Sequence, residues 1–227
     1  MYHCYICFEE IVGTKTWNTL FLPGKQKNIC STCESYLEFV PDQKCKRCSR
    51  PSKVEVCPDC KKWDLKFENN DPLAYNISLF LYNEFLREVI STWKYRGDYV
   101  MIKSFRQMFV EFFKTVFTEC DDAILVPIPL SEERALERGF NQSLQLAQFL
   151  SKDVKEVFVR VHSEKQAKKS RQERIKMPNP FQVRTTVRQP VILIDDIYTT
   201  GSTLRQAAKL LKENGCPKVY SYTLIRG

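Results

Sequence analysis

The fold of this 227-residue chain is decided by Val191-Ile-Leu-Ile-Asp195-Asp196-Ile-Tyr-Thr199-Thr200-Gly201-Ser202-Thr203. The leading apolar run predicts a buried strand of a parallel sheet. Two acids follow at its carboxyl end, where open α/β sheets bind their ligands. A loop of small hydroxylated residues around one glycine then opens a helix. Hydroxyls and backbone N–H groups at a helix N-terminus bind anions, so this stretch predicts a binding site as well as a fold.

The acids and the loop together favour a phosphorylated sugar as the ligand. Asp195 and Asp196 suit ribose hydroxyls, directly or through a hydrated Mg²⁺. The phosphate would lie on the loop, which consists of Thr199, Thr200, Gly201, Ser202 and Thr203. A strand, a turn and an N-capped helix without a ligand would show the same hydroxyls. Burying two adjacent acids for packing alone is costly, so we interpret these residues as a binding site.

Strand and helix patterns alternate over the C-terminal half of the chain. They follow in the order 123–130 (strand), 140–150 (helix), 155–162 (strand), 190–197 (strand), 202–215 (helix) and 218–226 (strand). This alternation predicts an α/β fold with an open, largely parallel sheet and flanking helices. Two amphipathic helical patterns precede it, at 81–93 and 102–116, and residues 67–75 are typical of a linker.

Eight of the ten cysteines form C-x-x-C pairs, at Cys4 and Cys7, Cys30 and Cys33, Cys45 and Cys48, and Cys57 and Cys60. Two such pairs complete one tetrahedral four-sulfur site, so the spacing predicts two metal sites. Sequential pairing would join the first pair to the second and the third to the fourth. The short gaps between neighbouring pairs favour sequential pairing, but interleaved pairing, with the first and third pairs on one ion, stays open.

Zinc is the expected metal of both sites. A site with four cysteine ligands has no open position for water, so both sites are expected to be structural. In a small domain such a metal replaces a large hydrophobic core. We therefore predict a double zinc-finger domain over residues 1–66 and a second, larger domain over residues 67–227.

The charge of the chain is positive and unevenly distributed. Lysines and arginines number 35 against 27 acids, which gives a formal net charge of +8. Residues 152–176 are enriched in basic side chains, which suits a polyphosphate or nucleic-acid partner, although a solvated loop has the same composition.

Neither a membrane span nor an export signal is evident in the sequence. No apolar run is long enough to cross a bilayer, and the chain opens without the basic and apolar regions of an export signal. We therefore expect a cytoplasmic protein with reduced thiols, associated with a membrane at most peripherally at its inner face.

The opening stretch is similar to the 5-phosphoribosyl-1-pyrophosphate (PRPP) motif of type I phosphoribosyltransferases, except at Tyr198, where the motif usually has an aliphatic residue. A longer ordered set of features resembles the ComF family of competence-associated proteins. The set comprises the N-terminal cysteine pairs, Trp93-Lys-Tyr-Arg-Gly-Asp98, Val126-Pro-Ile-Pro-Leu130, Arg134 with Arg138-Gly-Phe-Asn-Gln142, Gln166 ahead of Arg171 and Arg174, and Tyr222-Thr-Leu-Ile-Arg226.

The resemblance implies a phosphoribosyltransferase-like domain that binds PRPP with Mg²⁺. Asp195 and Asp196 would hold the ribose, the loop from Thr199 to Thr203 the 5′-phosphate, and the loop after Val126 the pyrophosphate. Residues 165–176 would correspond to the mobile hood of the transferases. The following Met177-Pro-Asn-Pro-Phe181 departs from the family pattern.

The resemblance and the charge favour a competence-associated protein of natural transformation that handles single-stranded DNA and binds PRPP, with a competence helicase as a further partner. The single-stranded DNA would contact Trp17, Trp63 and the basic finger residues Lys44, Lys46, Arg47, Arg50, Lys53, Lys61, Lys62 and Lys66.

The alternative is a genuine PRPP-dependent phosphoribosyltransferase with an unidentified acceptor. Purine-salvage relatives have an aspartate where this chain has Thr199, which argues against a 6-oxopurine acceptor. The sequence assigns no catalytic residue.

Overall fold

The computed structural model describes residues 2–11, 28–95, 99–120, 122–150, 153–160 and 179–227. Within these ranges, no helix combines the length and the apolar composition needed to cross a membrane. The predictions for Trp17 and for the basic run 165–176 fall outside the described residues.

A four-stranded parallel sheet with the order β1-β6-β5-β2 forms the centre of the molecule. Its strands are β1 (Asn76–Leu81), β2 (Ile124–Pro127), β5 (Val191–Tyr198) and β6 (Val219–Arg226). β5 pairs with both β2 and β6, so the strand that carries the two acids is an inner strand. The sheet and its flanking helices confirm the predicted fold class.

Alternate residues of β5 face the two sides of the sheet and enter two different buried clusters. Ile192 and Ile194 pack with the helices α3 (Glu84–Tyr95), α4 (Arg106–Val116) and α6 (Gln142–Phe149). Val191 and Leu193 pack on the other side with α7 (Ser202–Glu213). Because both sides are covered, β5 is a continuous apolar run rather than an alternating one. A 3₁₀ helix (Met101–Phe105) and the short α5 (Glu132–Arg138) complete the helical connections.

The N-terminal residues contain two short helices, α1 (Ser31–Ser35) and α2 (Pro58–Lys66), and pack directly on the sheet. The Val40 N–H donates to the Leu79 carbonyl oxygen at 3.0 Å, and the Leu81 N–H donates to the Glu38 carbonyl oxygen at 2.7 Å. These bonds cover the edge of β1, whose backbone groups would otherwise lack a neighbouring strand. The division of the chain at residues 66 and 67 stays a prediction.

The observed elements differ from the predicted ones in two places. First, β1 occupies Asn76–Leu81, most of which was left unassigned between the predicted linker at 67–75 and the helical pattern at 81–93, and α3 begins only at Glu84. Polar and apolar residues alternate only from Asn76 to Leu79, and the polar Asn76 and Ser78 are themselves buried, so β1 lacks the pattern of a strand with one exposed face. Second, β3 (Phe158–Arg160) pairs antiparallel with β4 (Phe181–Val183), so the strand predicted at 155–162 lies outside the parallel sheet.

Candidate functional site

Asp195 and Asp196 lie near the end of β5 and line a cavity of about 140 Å³, which we name the sheet cavity. The Ser143 hydroxyl donates to Asp195 Oδ1 at 2.9 Å, and the Asp196 N–H donates to the same oxygen at 3.0 Å. Burial, followed by the charge of Asp196, raises the pKa of Asp195 to about 7 against the effect of these bonds. An acid held in this state at a cavity is typical of a ligand site.

Lys94 is the charged partner of Asp196. It lies in the last turn of α3, and its Nζ is 2.5 Å from Asp196 Oδ2, with side-chain exposures of only 16% and 14%. No role was predicted for Lys94 from the sequence. The contact places a cation directly beside the acid pair, and only the position of Lys94 in the Trp93–Asp98 stretch could have indicated it.

Three arginines line the sheet cavity together with the acids: Arg134 and Arg138 from α5, and Arg160 from β3. Burial, followed by the nearby charge of Arg134, lowers the pKa of Arg160, so like charges converge at this point. Together with Lys94, the cavity combines four cations with two acids. This combination suits an anion that also carries hydroxyl groups. From the sequence, Arg160 was predicted only as part of the basic region 152–176, and no role was predicted for Ser143.

The turn between α5 and α6 fixes the position of Ser143. Gly139 ends α5 with a φ of 72°, and Asn141 caps α6 by accepting hydrogen bonds from the N–H groups of Ser143 and Leu144 at 3.0 and 3.4 Å. Asn141 Nδ2 donates to the Ile128 carbonyl oxygen at 3.1 Å. The turn is thereby tied to the loop after β2, on the wall of the same cavity.

The loop between β5 and α7 requires glycine at position 201. Gly201 has a φ of 75°, and a Cβ atom there would lie 2.2 Å from the Tyr198 hydroxyl oxygen. Ser202, the next residue, begins α7, and its N–H donates to Thr200 Oγ1 at 3.3 Å. The strand, turn and helix therefore follow in the predicted order, and the helix begins at the predicted Ser202.

The structure divides the predicted loop residues between two cavities. Thr203 lines the sheet cavity with the two acids. Thr199 and Thr200 instead line a second cavity, on the side of the cysteine sites. The assignment of the whole loop to a phosphate stays a prediction.

Tyr198, the residue that departs from the PRPP motif, is hydrogen-bonded to a buried network of ion pairs. Its hydroxyl accepts a hydrogen bond from Arg205 Nη1 at 2.6 Å. Arg205 Nη2 lies 2.9 Å from Asp71 Oδ2, which Arg47 Nη2 also contacts at 2.9 Å. An aliphatic residue at position 198 could not accept this bond. Arg47 thus takes part in the fold through ion pairs, and its contact with DNA stays a prediction.

The cysteines form two groups, Cys4, Cys7, Cys30 and Cys33, and Cys45, Cys48, Cys57 and Cys60, with the sulfurs of each group within 4.8 Å of one another. Sequential pairing is thus confirmed over interleaved pairing. The Sγ atoms of Cys7 and Cys30 are 3.7 Å apart, and those of Cys45 and Cys60 are 3.8 Å apart. A tetrahedral zinc ion with Zn–S bonds of about 2.3 Å requires about 3.8 Å, so both groups fit Zn²⁺.

Comparison with known proteins identifies one matching domain family and similar proteins of nearly the same length. The phosphoribosyl transferase domain family matches residues 136–227. The chain is 38% identical to Competence protein ComFC of Bacillus subtilis (strain 168), over 98% of this chain and 94% of that protein. It is 28% identical to Competence protein ComFC of Streptococcus pneumoniae (strain ATCC BAA-255 / R6), over 98% of this chain and 99% of that protein.

A shorter match covers only part of each chain. It is to DNA utilization protein YhgH of Escherichia coli (strain K12), at 33% identity over 45% of this chain and 48% of that protein. Because the Bacillus match spans nearly the full length of both proteins, with the phosphoribosyltransferase fold and two four-cysteine sites in place, the chain belongs to the ComF family of competence proteins.

Proposed function

We propose that this protein acts in natural transformation by handling single-stranded DNA, and that it binds PRPP in the sheet cavity. The observation that carries the PRPP part is the placement of Asp195 and Asp196 among Lys94, Arg134, Arg138 and Arg160. A phosphorylated sugar needs acceptors for its hydroxyls and cations for its phosphates, and both kinds of group line this one cavity.

Each half of PRPP has its own partners in this arrangement. The carboxylates of Asp195 and Asp196 accept hydrogen bonds from the ribose hydroxyls. The pyrophosphate lies toward Arg134, Arg138 and Arg160, and the 5′-phosphate lies at the start of α7 beside Thr203. Mg²⁺, bound with the pyrophosphate, neutralises part of its charge.

The DNA part of the proposal rests on the relatives of this chain and on the second finger, the residues around Cys45, Cys48, Cys57 and Cys60. Exposed lysines project from this finger, among them Lys46, Lys53, Lys61, Lys62 and Lys66. Lys46 pairs with Glu55 on the surface, and such exposed pairs are weak enough to be exchanged for a phosphate contact. Proteins named for competence and for DNA utilization are the relatives of this chain.

A genuine transferase with an unidentified acceptor is the second candidate, because the sheet cavity would serve it equally well. The two candidates separate on pyrophosphate release from PRPP in the presence of candidate acceptors. Thr199 supplies no carboxylate for a purine base, which favours binding without transfer.

The test uses one purified sample, titrated with Mg²⁺-PRPP and with labelled single-stranded DNA. We expect DNA affinity to fall with salt by about 0.7 log units per phosphate contact for each tenfold increase in salt. Lys53→Glu with Lys61→Glu should weaken all sequences equally, because phosphates carry no sequence information. Lys114→Glu on α4, an exposed lysine away from the finger, is the matched control. Absence of DNA binding at low salt, with pyrophosphate release from PRPP, would establish the transferase instead.

A further inference from the structure

A second cavity, of about 300 Å³, lies between the second cysteine site and the β5–α7 loop. We name it the finger cavity and define it by Arg50, Lys62, Trp63, Lys66, Thr200 and Arg226. It has about twice the volume of the sheet cavity, at 300 against 140 Å³. Volumes from roughly 300 Å³ upward, with a mainly apolar wall and a few polar groups, are typical of small-molecule sites.

Trp63 provides the aromatic wall of the finger cavity, and its position is fixed. Its Nε1–H donates to the Thr200 carbonyl oxygen at 3.0 Å. The buried Arg205 guanidinium lies over its ring at 4.7 Å, and the ring stacks on Phe67 with centroids 5.9 Å apart. An indole held on several sides is a ready surface for a planar ligand, because little side-chain freedom is lost on binding.

Basic side chains surround the opening of the finger cavity. Arg50 and Lys62 share one acid, Asp59, at 2.5 and 3.5 Å, and all three are substantially exposed. Lys66 lies over the Trp63 ring at 4.8 Å and is also exposed. One acid cannot neutralise three cations, so the opening is positively charged. Exposed lysines can turn outward to leave the ring to a ligand and contact its phosphate.

The inner end of the cavity is formed by Arg226, which is only 4% exposed. Its Nη1 donates to the carbonyl oxygens of Tyr198 and Thr199, each at 3.1 Å. Its Nη2 lies 3.8 Å from Cys48 Sγ. Arg226 therefore joins the second cysteine site to the β5–α7 loop at the point where both border the cavity.

We propose that the finger cavity binds one nucleotide of a DNA strand, with the base against Trp63 and its phosphate on Lys62 and Lys66. The proposal rests on the proposed handling of single-stranded DNA and names the place where a base is held. An aromatic wall behind a cationic opening matches a nucleotide, because bases stack on aromatic rings and phosphates follow basic side chains. A free nucleotide has the same chemistry, so the test includes both sources.

The experiment measures binding of the full chain to a short deoxyadenosine oligonucleotide and to dAMP. Trp63→Leu removes the stacking surface and should weaken oligonucleotide binding about 5- to 100-fold, since one stacked base contributes that much. Trp63→Phe keeps an aromatic ring and should remain within about 3-fold of the unchanged protein. An oligonucleotide with 5-iododeoxyuridine should cross-link to Trp63 under ultraviolet light, as mass spectrometry of the peptides would show.

A second pair of variants keeps the test decisive if Trp63→Leu does not fold. Lys62→Glu with Lys66→Glu changes only exposed side chains and should abolish the Trp63 cross-link. Lys103→Glu with Lys114→Glu makes the same charge change at exposed side chains outside the finger and should keep it.

The outcomes separate this proposal from the function on which it rests. If DNA binds but the cross-link maps elsewhere and Trp63→Leu binds normally, the finger cavity is refuted while DNA handling stands. If dAMP binds at Trp63 and the oligonucleotide does not, the ligand of the finger cavity is a free nucleotide, and the proposal that it holds a nucleotide of a DNA strand is refuted. If neither probe binds, both proposals are refuted.

Discussion

The two cysteine sites share one architecture. In each, the first pair forms a tight turn: the Phe8 N–H donates to the Cys4 carbonyl oxygen at 2.9 Å, and the Ser49 N–H donates to that of Cys45 at 3.0 Å. The residue that follows the second cysteine of each of these pairs has a positive φ, 64° at Phe8 and 59° at Ser49. The second pair of each site lies at the start of a helix, α1 or α2.

Their surroundings differ in burial and in charge. Cys7 of the first site is exposed, whereas all four cysteines of the second site are buried. Within 2–11 and 28–39, around the first site, there are glutamates but no lysine or arginine. Around the second site, residues 44–66 are rich in lysine and arginine. The second site also contacts the β5–α7 loop through Trp63 and Arg226.

The difference shows that the same four-cysteine arrangement packs in two different surroundings in this chain. The first site joins the helical cluster on one side of the sheet. The second joins the cluster that contains Tyr198 and α7, on the side of the loop that we assign to PRPP. We therefore expect damage to the second site to reach the sheet cavity and damage to the first site to stay local.

The largest expected effect distinguishes Cys45→Ser from Cys4→Ser, two buried and equivalent positions. Each should remove one of about two zinc ions per chain. Cys45→Ser should lower the free energy of unfolding by on the order of 4 kcal/mol or more and weaken PRPP binding at least about 10-fold, because the loop loses its support. Cys4→Ser should leave PRPP affinity within about 3-fold.

Zinc analysis, urea unfolding and PRPP titration on both variants check this contrast. Equal losses of PRPP affinity in the two variants would show that the sites do not differ in this way. A fully folded, metal-free protein would contradict both zinc sites.

A smaller effect concerns Asp195, where substitution changes the sheet cavity and leaves both cysteine sites intact. Because the folded state raises the pKa of Asp195 to about 7, it retains a proton that the unfolded chain loses near the ordinary pKa of 3.8. The contribution of this group to stability therefore falls as pH rises from about 4 to about 7. Asp195→Asn removes this dependence, and its amide oxygen can still accept from Ser143.

Relative to the unchanged protein, Asp195→Asn should gain stability as pH rises, reaching on the order of 4 kcal/mol at neutral pH. Urea unfolding of both proteins at several pH values measures this gain. Taking the difference cancels the effect of protons on the zinc ligands, which both proteins share. A difference that stays constant with pH would exclude a raised pKa of Asp195.

Local patterns were enough to predict the elements nearest the site. The apolar run Val191–Ile194, the acids and the glycine loop fixed a strand, a turn and a helix. The C-x-x-C spacing predicted two metal sites, and the short gaps between neighbouring pairs favoured the sequential grouping. These features depend on residues close in sequence, which is why they could be predicted.

Contacts between distant residues could not be predicted in the same way. Asp71 meets Arg205 across 134 positions, and Trp63 meets Thr200 across 137. The stretch around Asp71 was interpreted as a linker because Asn-Asn-Asp-Pro is typical of a turn. Only the folded sheet places this acid between two arginines, and only the packing of the finger separates Thr199 and Thr200 from Thr203.

The central claim is that Asp195 and Asp196 hold the ribose of PRPP, and calorimetric titration of Mg²⁺-PRPP tests it most directly. The unchanged protein and the Asp195→Asn/Asp196→Asn double variant should be compared at equal zinc content and with matching circular dichroism. At pH 8, above the raised pKa of Asp195 of about 7, we predict saturable binding to the unchanged protein and at least about 100-fold weaker binding to the variant, because two charged acceptors are lost. Equal affinity of the two proteins for PRPP would contradict the assignment of the site.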